Sequence, residues 1–186
     1  GQTWSQSGNP TDFTELTGAI LEISSIPPIN LSKQLEYLIQ YPHGCVEQTT
    51  SAAFPQLYVD LITPLSAKQK ADVEKNIKAA ITKLQGFQMA SGAFSYWQGG
   101  NEAADWAGTY AGHFLMEAKA LGFAVPDQML NKWIEYQTKT SRTWEPGKDN
   151  DPHGWWHHDN EMSQAYRLYA LALAGKPDLA GMNRMR

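Results

Sequence analysis

The sequence predicts an all-α fold, and three observations carry the prediction. Apolar residues recur at helical spacing along the chain, and the stops between them are those of helix ends rather than hairpins. A short pattern also comes twice: Leu121-Gly122 runs into Pro126-Asp127 and Ala174-Gly175 into Pro177-Asp178, with Gly122 and Gly175 53 positions apart. That spacing suits a helical hairpin repeated around a ring with short turns between antiparallel neighbours.

Taken in order, Phe13, Leu16, Ile20, Leu21 and Ile23 form a first stripe that ends at Pro27-Pro28. Leu31, Leu35, Leu38 and Ile39 form a second, closed by Pro42. A third helix is expected to start near Cys45 and run toward Ile62, bent at Pro55, whose missing N–H removes a ladder bond. Ser66-Ala67-Lys68-Gln69 reads as a capping box that opens a fourth helix through Leu84, stopped at Gly86. Gly86 to Asn101, rich in glycine, serine and aromatics, is expected to be a packed or functional loop. Helices should follow over about Ala103–Leu121, from an N-cap at Asp127 through Tyr136, and over Glu161–Ala174, with one more beginning after Pro177. The division expected is a lead-in helix over 1–30 and a main domain over 31–186.

Composition narrows the function. The 186 residues, 42% hydrophobic and 18% charged, fit one globular domain large enough to bury a core. A formal charge of −4 offers no basic face for nucleic acid. No run approaches the roughly 20 apolar residues that cross a bilayer, and the N-terminus lacks a charged-then-apolar signal pattern. A single cysteine excludes an intrachain disulfide.

That cysteine stands in Tyr41-Pro42-His43-Gly44-Cys45-Val46-Glu47-Gln48-Thr49-Thr50-Ser51. Residues three apart on a helix share a face, with Cβ atoms roughly 5–6 Å apart, so the Cys45 sulfur can reach the Gln48 amide carbon. Attack by sulfur expels ammonia and leaves an internal thioester, a far better acyl donor than the amide. Gly44 and Pro42 place the motif where a loop enters a helix, and the exposed N–H groups of a helix start favour a thiolate as the bond forms or breaks. Glu47 reads as a partner for those N–H groups. By itself, Cys-x-x-Gln describes a buried small hydrophobe as readily as a reactive pair. The flanking residues turn the balance.

Gly-Cys-x-Glu-Gln, with Tyr-Pro-x-Gly before and Thr-Thr-Ser after, resembles the thioester signature of the alpha-2-macroglobulin and complement proteins, most closely their bacterial members. Gly92-Ala93-Phe94-Ser95-Tyr96-Trp97-Gln98-Gly99-Gly100 resembles the aromatic loop of those bacterial proteins, and the likeness continues through Gln164-Ala165-Tyr166-Arg167-Leu168-Tyr169 to Lys176-Pro177, covering the chain from about Leu31. The resemblance implies an α/α toroid of about six hairpins, of which this chain has residues for about four, hence a partial ring truncated at its C-terminus. It implies Cys45 and Gln48 as the thioester, with Gly44, Glu47 and Pro42 in support and no cofactor beyond the bond. It further implies a single-turnover covalent trap rather than an enzyme. Cleavage of a bait segment elsewhere in the protein exposes the bond, and surface lysines of the attacking protease are acylated. Other domains of the same protein are the further partners, and a bacterial periplasm or cell envelope the location.

A thioester must be kept from water until triggered, and Phe94, Tyr96 and Trp97 are the expected shield. Tryptophans and tyrosines elsewhere, Trp106, Tyr110, Trp155 and Trp156 among them, read equally as core. His153, His157 and His158 form a loop whose spacing is not diagnostic of a metal site, so no metal is expected. In some members of the family a later histidine takes the acyl group, which makes His157 or His158 candidates for transfer. His43 is placed to assist Cys45 by its charge, or sits there by accident; His113, inside a helix, reads as a satisfied core histidine.

Three other readings stay open. A toroid cleft lined by Trp97, Trp106 and Trp155, with carboxylates from Glu102, Asp105, Asp159 or Glu161, would suit carbohydrate binding or glycan hydrolysis. Cys45 with His113 or His157 would suit a cysteine hydrolase. An adhesive thioester domain would couple to host amines with the same reactive pair.

Overall fold

The structure is a computed structural model that describes residues 37–146 and 160–186. The chain divides into two units, Gly1–Asn30 and Leu31–Arg186, and the described residues belong to the second. The first stripe, the start of the second and His153, Trp155, Trp156, His157, His158 and Asp159 lie outside them.

Tyr37 and Leu38 are helical, and seven α-helices follow among the described residues: α1 (Val46–Ala53), α2 (Val59–Ile62), α3 (Ala67–Phe87), α4 (Asp105–Ala120), α5 (Asp127–Thr143), α6 (Asn160–Leu173) and α7 (Leu179–Arg184). The same residues contain no strand, only two isolated antiparallel bridges, Gln88 with Phe94 and Ser95 with Ala103, which brace the loop between α3 and α4. The all-α expectation holds. The break at Pro55 is a 3-10 turn over Pro55–Leu57 that separates α1 from α2. It is stitched to α3 by Gln56, which donates to the Gln40 and Ala52 carbonyls at 2.8 and 2.7 Å and accepts from Asn76 at 3.0 Å. Ile39 packs on Val59 and Leu65.

Ser66 caps α3 as its sequence foretells: its hydroxyl accepts from the Gln69 N–H, and the Gln69 carboxamide accepts from the Ser66 N–H at 2.9 Å. Two boundaries differ from expectation. Gly86 lies inside the last turn of α3, which continues to Phe87 because that ring is buried in the core. Asp127 does not cap α5; Pro126 holds the N-cap position, and the Asp127 carboxylate accepts from Lys119 Nζ at 2.5 Å. The repeated Gly signal proves to be a pair of helix stops. Gly122 and Gly175 have φ of +90° and +69°, and in both the residue after the glycine reaches back to close the last turn: Phe123 N–H to Ala118 C=O and Lys176 N–H to Leu171 C=O.

The central helix is α4, which contacts α1, α3, α5 and α6. Much of its buried surface is small, at Ala107, Gly108, Ala111, Gly112 and Ala118, with Thr109, Phe114 and Leu115 beside them. Trp133 of α5 lies fully buried against that face, its indole N–H donating to the Gly108 carbonyl at 2.9 Å. A methyl group at Gly112 would stand 2.0 Å from the indole ring, so the approach of α5 to α4 depends on the missing side chain. Around this contact Ile77, Ile81, Leu84, Phe87, Phe94, Phe114 and Leu115 form one continuous core. Burial of such side chains contributes about 1.5–3 kcal/mol each and is the main reason the helices associate.

A second, polar buried cluster joins the far ends of α4, α5, α6 and α7. Arg167 of α6 is only 1% exposed, and its guanidinium donates to Gln137, Gln164 and Asp105. Gln137 in turn donates to Thr109 and Gln164 to Ser141, whose hydroxyl donates to Asp178 at 2.7 Å. Buried charges persist only when paired and hydrogen-bonded.

Candidate functional site

Cys45 is the N-cap of α1, with extended backbone (φ −73°, ψ −179°) before the first helical residue. It is 4% exposed and in no disulfide. The pair is arranged as a capping box in which cysteine takes the place of serine. The Gln48 N–H points at the Cys45 side chain, and Gln48 Oε1 accepts the Cys45 N–H at 3.1 Å. That reciprocal bonding folds the carboxamide back over the residue that carries the sulfur, as spacing along one helical turn allows.

Gly44 makes the fold-back possible in two ways. Its φ of +89° lies in the left-handed region, and a Cβ there would stand 1.9 Å from Gln48 Oε1. Pro42 is buried, and its carbonyl accepts from Lys83 Nζ of α3 at 3.3 Å, which anchors the loop before the motif. After the motif, Thr50 donates to the Val46 carbonyl at 2.7 Å, and both Thr49 and Thr50 are fully buried. Gln48 itself is exposed. Cys45 is thus buried and Gln48 exposed, with Gln48 Oε1 folded back on the Cys45 N–H.

The aromatic loop meets the motif through Tyr96. The Tyr96 carbonyl accepts the Val46 N–H at 3.1 Å, satisfying one of the donors that a helix start leaves unpaired. The Tyr96 hydroxyl donates to Glu47 Oε2 at 2.9 Å. That bond to the carboxylate, followed by partial burial and the negative charge of Glu47, pushes the Tyr96 pKa up to about 12, and the Cys45 sulfur adds to the same effect. Glu47 thus bonds the tyrosine of the loop instead of the N–H groups of its own helix. Of the three expected shield residues, Phe94 is a core residue beneath the loop at 1% exposure, Tyr96 clamps the motif, and Trp97 is 61% exposed.

Two contacts escape a reading of spacing alone. Tyr110 of α4 is raised in pKa, chiefly by burial, and interacts with Ser51 and Glu47 of α1; its ring stacks on Phe54 at 5.4 Å and meets Trp106 at 5.3 Å. Tyr41 and His43 pair their rings at 4.6 Å just before the motif. No linear pattern couples positions so far apart as Glu47 and Tyr110.

His113 has its Nδ1 3.0 Å from the Tyr166 hydroxyl, and burial lowers its pKa despite Glu117, which fits the core histidine expected. Residues proposed for a glycan cleft are engaged elsewhere: Asp105 with Arg167, and Trp106 with Tyr110 and Tyr166. No helix among the described residues is long and apolar enough to cross a membrane.

Comparison with known proteins agrees with this geometry. The family model described as the A-macroglobulin TED domain matches residues 14–177, beginning before the Leu31 at which resemblance is first legible. The alpha-2-macroglobulin of Escherichia coli strain K12 is 30% identical over 195 residues, covering all of this chain and 11% of that protein. Among solved structures, Salmonella alpha-2-macroglobulin reacted with methylamine is 26% identical with a TM-score of 0.69, over 86% of this chain and 11% of that one. Trypsin-activated Escherichia coli alpha-2-macroglobulin is 25% identical with a TM-score of 0.65, over 78% of this chain and 10% of that one. The chain spans about a tenth of the length of these relatives. A family match over most of its length, joined to an all-α fold shared with those structures, places this chain in the A-macroglobulin TED family, as a thioester domain of the bacterial alpha-2-macroglobulin type.

Proposed function

We propose that this chain is the acyl-donor domain of a bacterial protease trap. Cys45 and Gln48 close to a thioester with loss of ammonia, and the Gln48 carbonyl is then transferred to a lysine amine of an attacking protease. Cys45 leaves as thiol, the protease stays bound, and no turnover follows. The observation that carries the reading is the reciprocal bonding of Cys45 and Gln48, which holds sulfur and carboxamide on one turn with Gly44 leaving the room they need. Support comes also from the relatives, one solved after reaction with methylamine and one activated by trypsin.

Exposure of Gln48 bears on how such a trap is kept armed. The described residues bury Cys45 and leave Gln48 exposed as a residue; in this reading other domains of the full protein complete the cover, and its removal after bait cleavage is the trigger. Placement in the periplasm or cell envelope belongs to the same proposal.

Intact-mass measurement tests it. The closed ring weighs one ammonia less than the encoded chain, and methylamine opens it to an N-methylamide at Gln48, a methylene heavier than the encoded chain. Cys45→Ala should show the encoded mass and no adduct. A wild-type chain that carries the full encoded mass and takes up no methylamine refutes the reading.

A further inference from the structure

We infer that the Cys45 main-chain N–H is the oxyanion donor of the reactive pair, holding the Gln48 side-chain oxygen while charge builds on it. This deepens the acyl-donor reading and rests on it. One hydrogen bond carries the inference: Cys45 N–H donates to Gln48 Oε1 at 3.1 Å. That oxygen keeps its place in everything the pair does. Ring closure removes the amide nitrogen as ammonia, and aminolysis exchanges sulfur for an amine, but Oε1 stays on the acyl carbon through both. A donor already on that atom is in position before either reaction begins.

Neighbouring groups fix the donor. Gly44 has a φ of +89°, and a Cβ there would stand 1.9 Å from Gln48 Oε1 and 2.8 Å from Gln48 Cδ, so the missing side chain lets the carboxamide reach the Gly44–Cys45 peptide. At the other end of that peptide, the hydroxyl of the fully buried Thr49 donates to the Gly44 carbonyl at 3.5 Å. Other main-chain donors of this helix start go elsewhere: Val46 N–H to the Tyr96 carbonyl at 3.1 Å and Thr49 N–H to the Cys45 carbonyl at 2.9 Å. Cys45 N–H goes to the carboxamide. A backbone donor tied in this way does not turn aside as charge develops.

Both reactions ask for such a group. In ring closure Cys45 Sγ bonds to Gln48 Cδ, and the carbonyl electron pair moves onto Oε1. The pair returns as the C–N bond breaks, and nitrogen leaves as ammonia with the bond electrons and the proton of the thiol. In aminolysis the amine nitrogen bonds to Cδ, and the carbonyl pair again moves onto Oε1. It returns as the C–S bond breaks; sulfur keeps the bond electrons, the amine gives up one proton to water and the thiolate takes one back. Nothing is oxidised or reduced. Each reaction passes through a tetrahedral intermediate charged on Oε1, and a fixed donor about 2.7–3.1 Å from that atom stabilises it without reorganisation. One N–H thus serves both the making and the spending of the thioester.

Two measurements on the full chain test the assignment. Cys45 is the only cysteine, so nitrogen-15 labelling of cysteine gives a single amide resonance. In the closed ring that amide should resist hydrogen exchange. With glutamine carrying carbon-13 at its side-chain carbonyl, it should also show scalar coupling across the hydrogen bond to Gln48. A freely exchanging, uncoupled Cys45 amide in the closed ring overturns the inference. For the second measurement, the α-hydroxy analogue of cysteine at position 45 turns the Gly44–Cys45 amide into an ester and deletes the N–H. Loss of one oxyanion donor slows acyl transfer by about 10²–10³-fold, so methylamine uptake followed by intact mass should slow by about that factor. Lactic acid in place of Ala52, an ester further along α1, is the control and should react at close to the wild-type rate. Closure runs through the same intermediate, so an ester at 45 that never closes while the ester at 52 does is the expected effect at its limit. If neither ester closes, the amide resonance decides. Equal rates for the two esters overturn the inference and leave the acyl-donor reading standing, whereas absence of the ring in wild type overturns both.

Discussion

The start of α1 and the junction around Arg167 are both polar, and they are polar in opposite ways. At Arg167 the partners are all side chains, Gln137 and Gln164 in the interior and Asp105 at its edge, and Ser141 and Asp178 extend the chain of bonds. Among the described residues the bonds around Cys45 are fewer and the groups half-open; Gln48 is exposed, Tyr96 is 45% exposed, and Glu47 bonds the Tyr96 hydroxyl. A saturated network holds helices in place. An unsaturated one, rigid at its backbone and open at its tips, leaves groups available for reaction. The comparison predicts that reactivity and stability separate along this line.

The largest effect belongs to Cys45→Ala. It should abolish methylamine uptake, read by intact mass, while lowering the free energy of unfolding by only about 1 kcal/mol, as ordinary substitutions do. Arg167→Ala should do the reverse. Removing the guanidinium leaves the buried Gln137 and Gln164 short of a donor, while the exposed Asp105 turns to water, and should cost about 2–4 kcal/mol in urea unfolding, with the methylamine reaction retained below the new midpoint. A Cys45→Ala loss as large as that of Arg167→Ala would break the contrast.

Gly44→Ala lies between the two. Forcing a Cβ into the left-handed region costs about 1–2 kcal/mol, and the new methyl meets the Gln48 carboxamide. Ring closure should therefore be slowed by more than the stability loss alone explains, which simultaneous mass and denaturation measurements will show. Retained closure would mean that Gln48 does not need its folded-back position.

The smallest effect is at the edge of the polar junction. Burial alone would raise the Asp178 pKa, but hydrogen bonds from Ser141 and the Gly181 N–H, with Arg184 and Arg142 nearby, outweigh it and hold the carboxyl below its ordinary value. A depressed folded-state pKa contributes stability that is complete above the unfolded value and is lost as pH falls through the folded one. Asp178→Asn, which keeps a cap for α7, should be less stable at neutral pH and show a flatter acid limb between pH 5 and 2 than wild type, on the order of the carboxylate range. Parallel curves would remove Asp178 from the network.

How much of this was legible in the sequence follows from range. Local signals were read correctly where one or two residues decide: the Ser66 capping box, the break at Pro55, and the stops at Gly122 and Gly175. Cys45 and Gln48 were legible because they sit on one turn, within reach of a motif. Asp127 misled because a carboxylate suited to a cap found Lys119 instead, a competition that spacing does not rank. Tyr96 was singled out by resemblance as a shield, yet its hold on Val46 and Glu47 is a contact across 49 positions, set by how the loop crosses α1. The Arg167 junction was unreadable for the same reason: its partners come from three helices, and a lone arginine in a helical stripe looks like a solvated residue.

The fit of Trp133 over Gly112 has a consequence for inheritance. With the indole 2.0 Å from where a methyl would be, these two positions behave as a single locus: a descendant that enlarges one must shrink the other, or first pass through a form in which α4 and α5 no longer meet. Lineages should thus keep the pair or exchange it whole, and chimaeras that take α4 from one ancestor and α5 from another should fail where the two halves disagree.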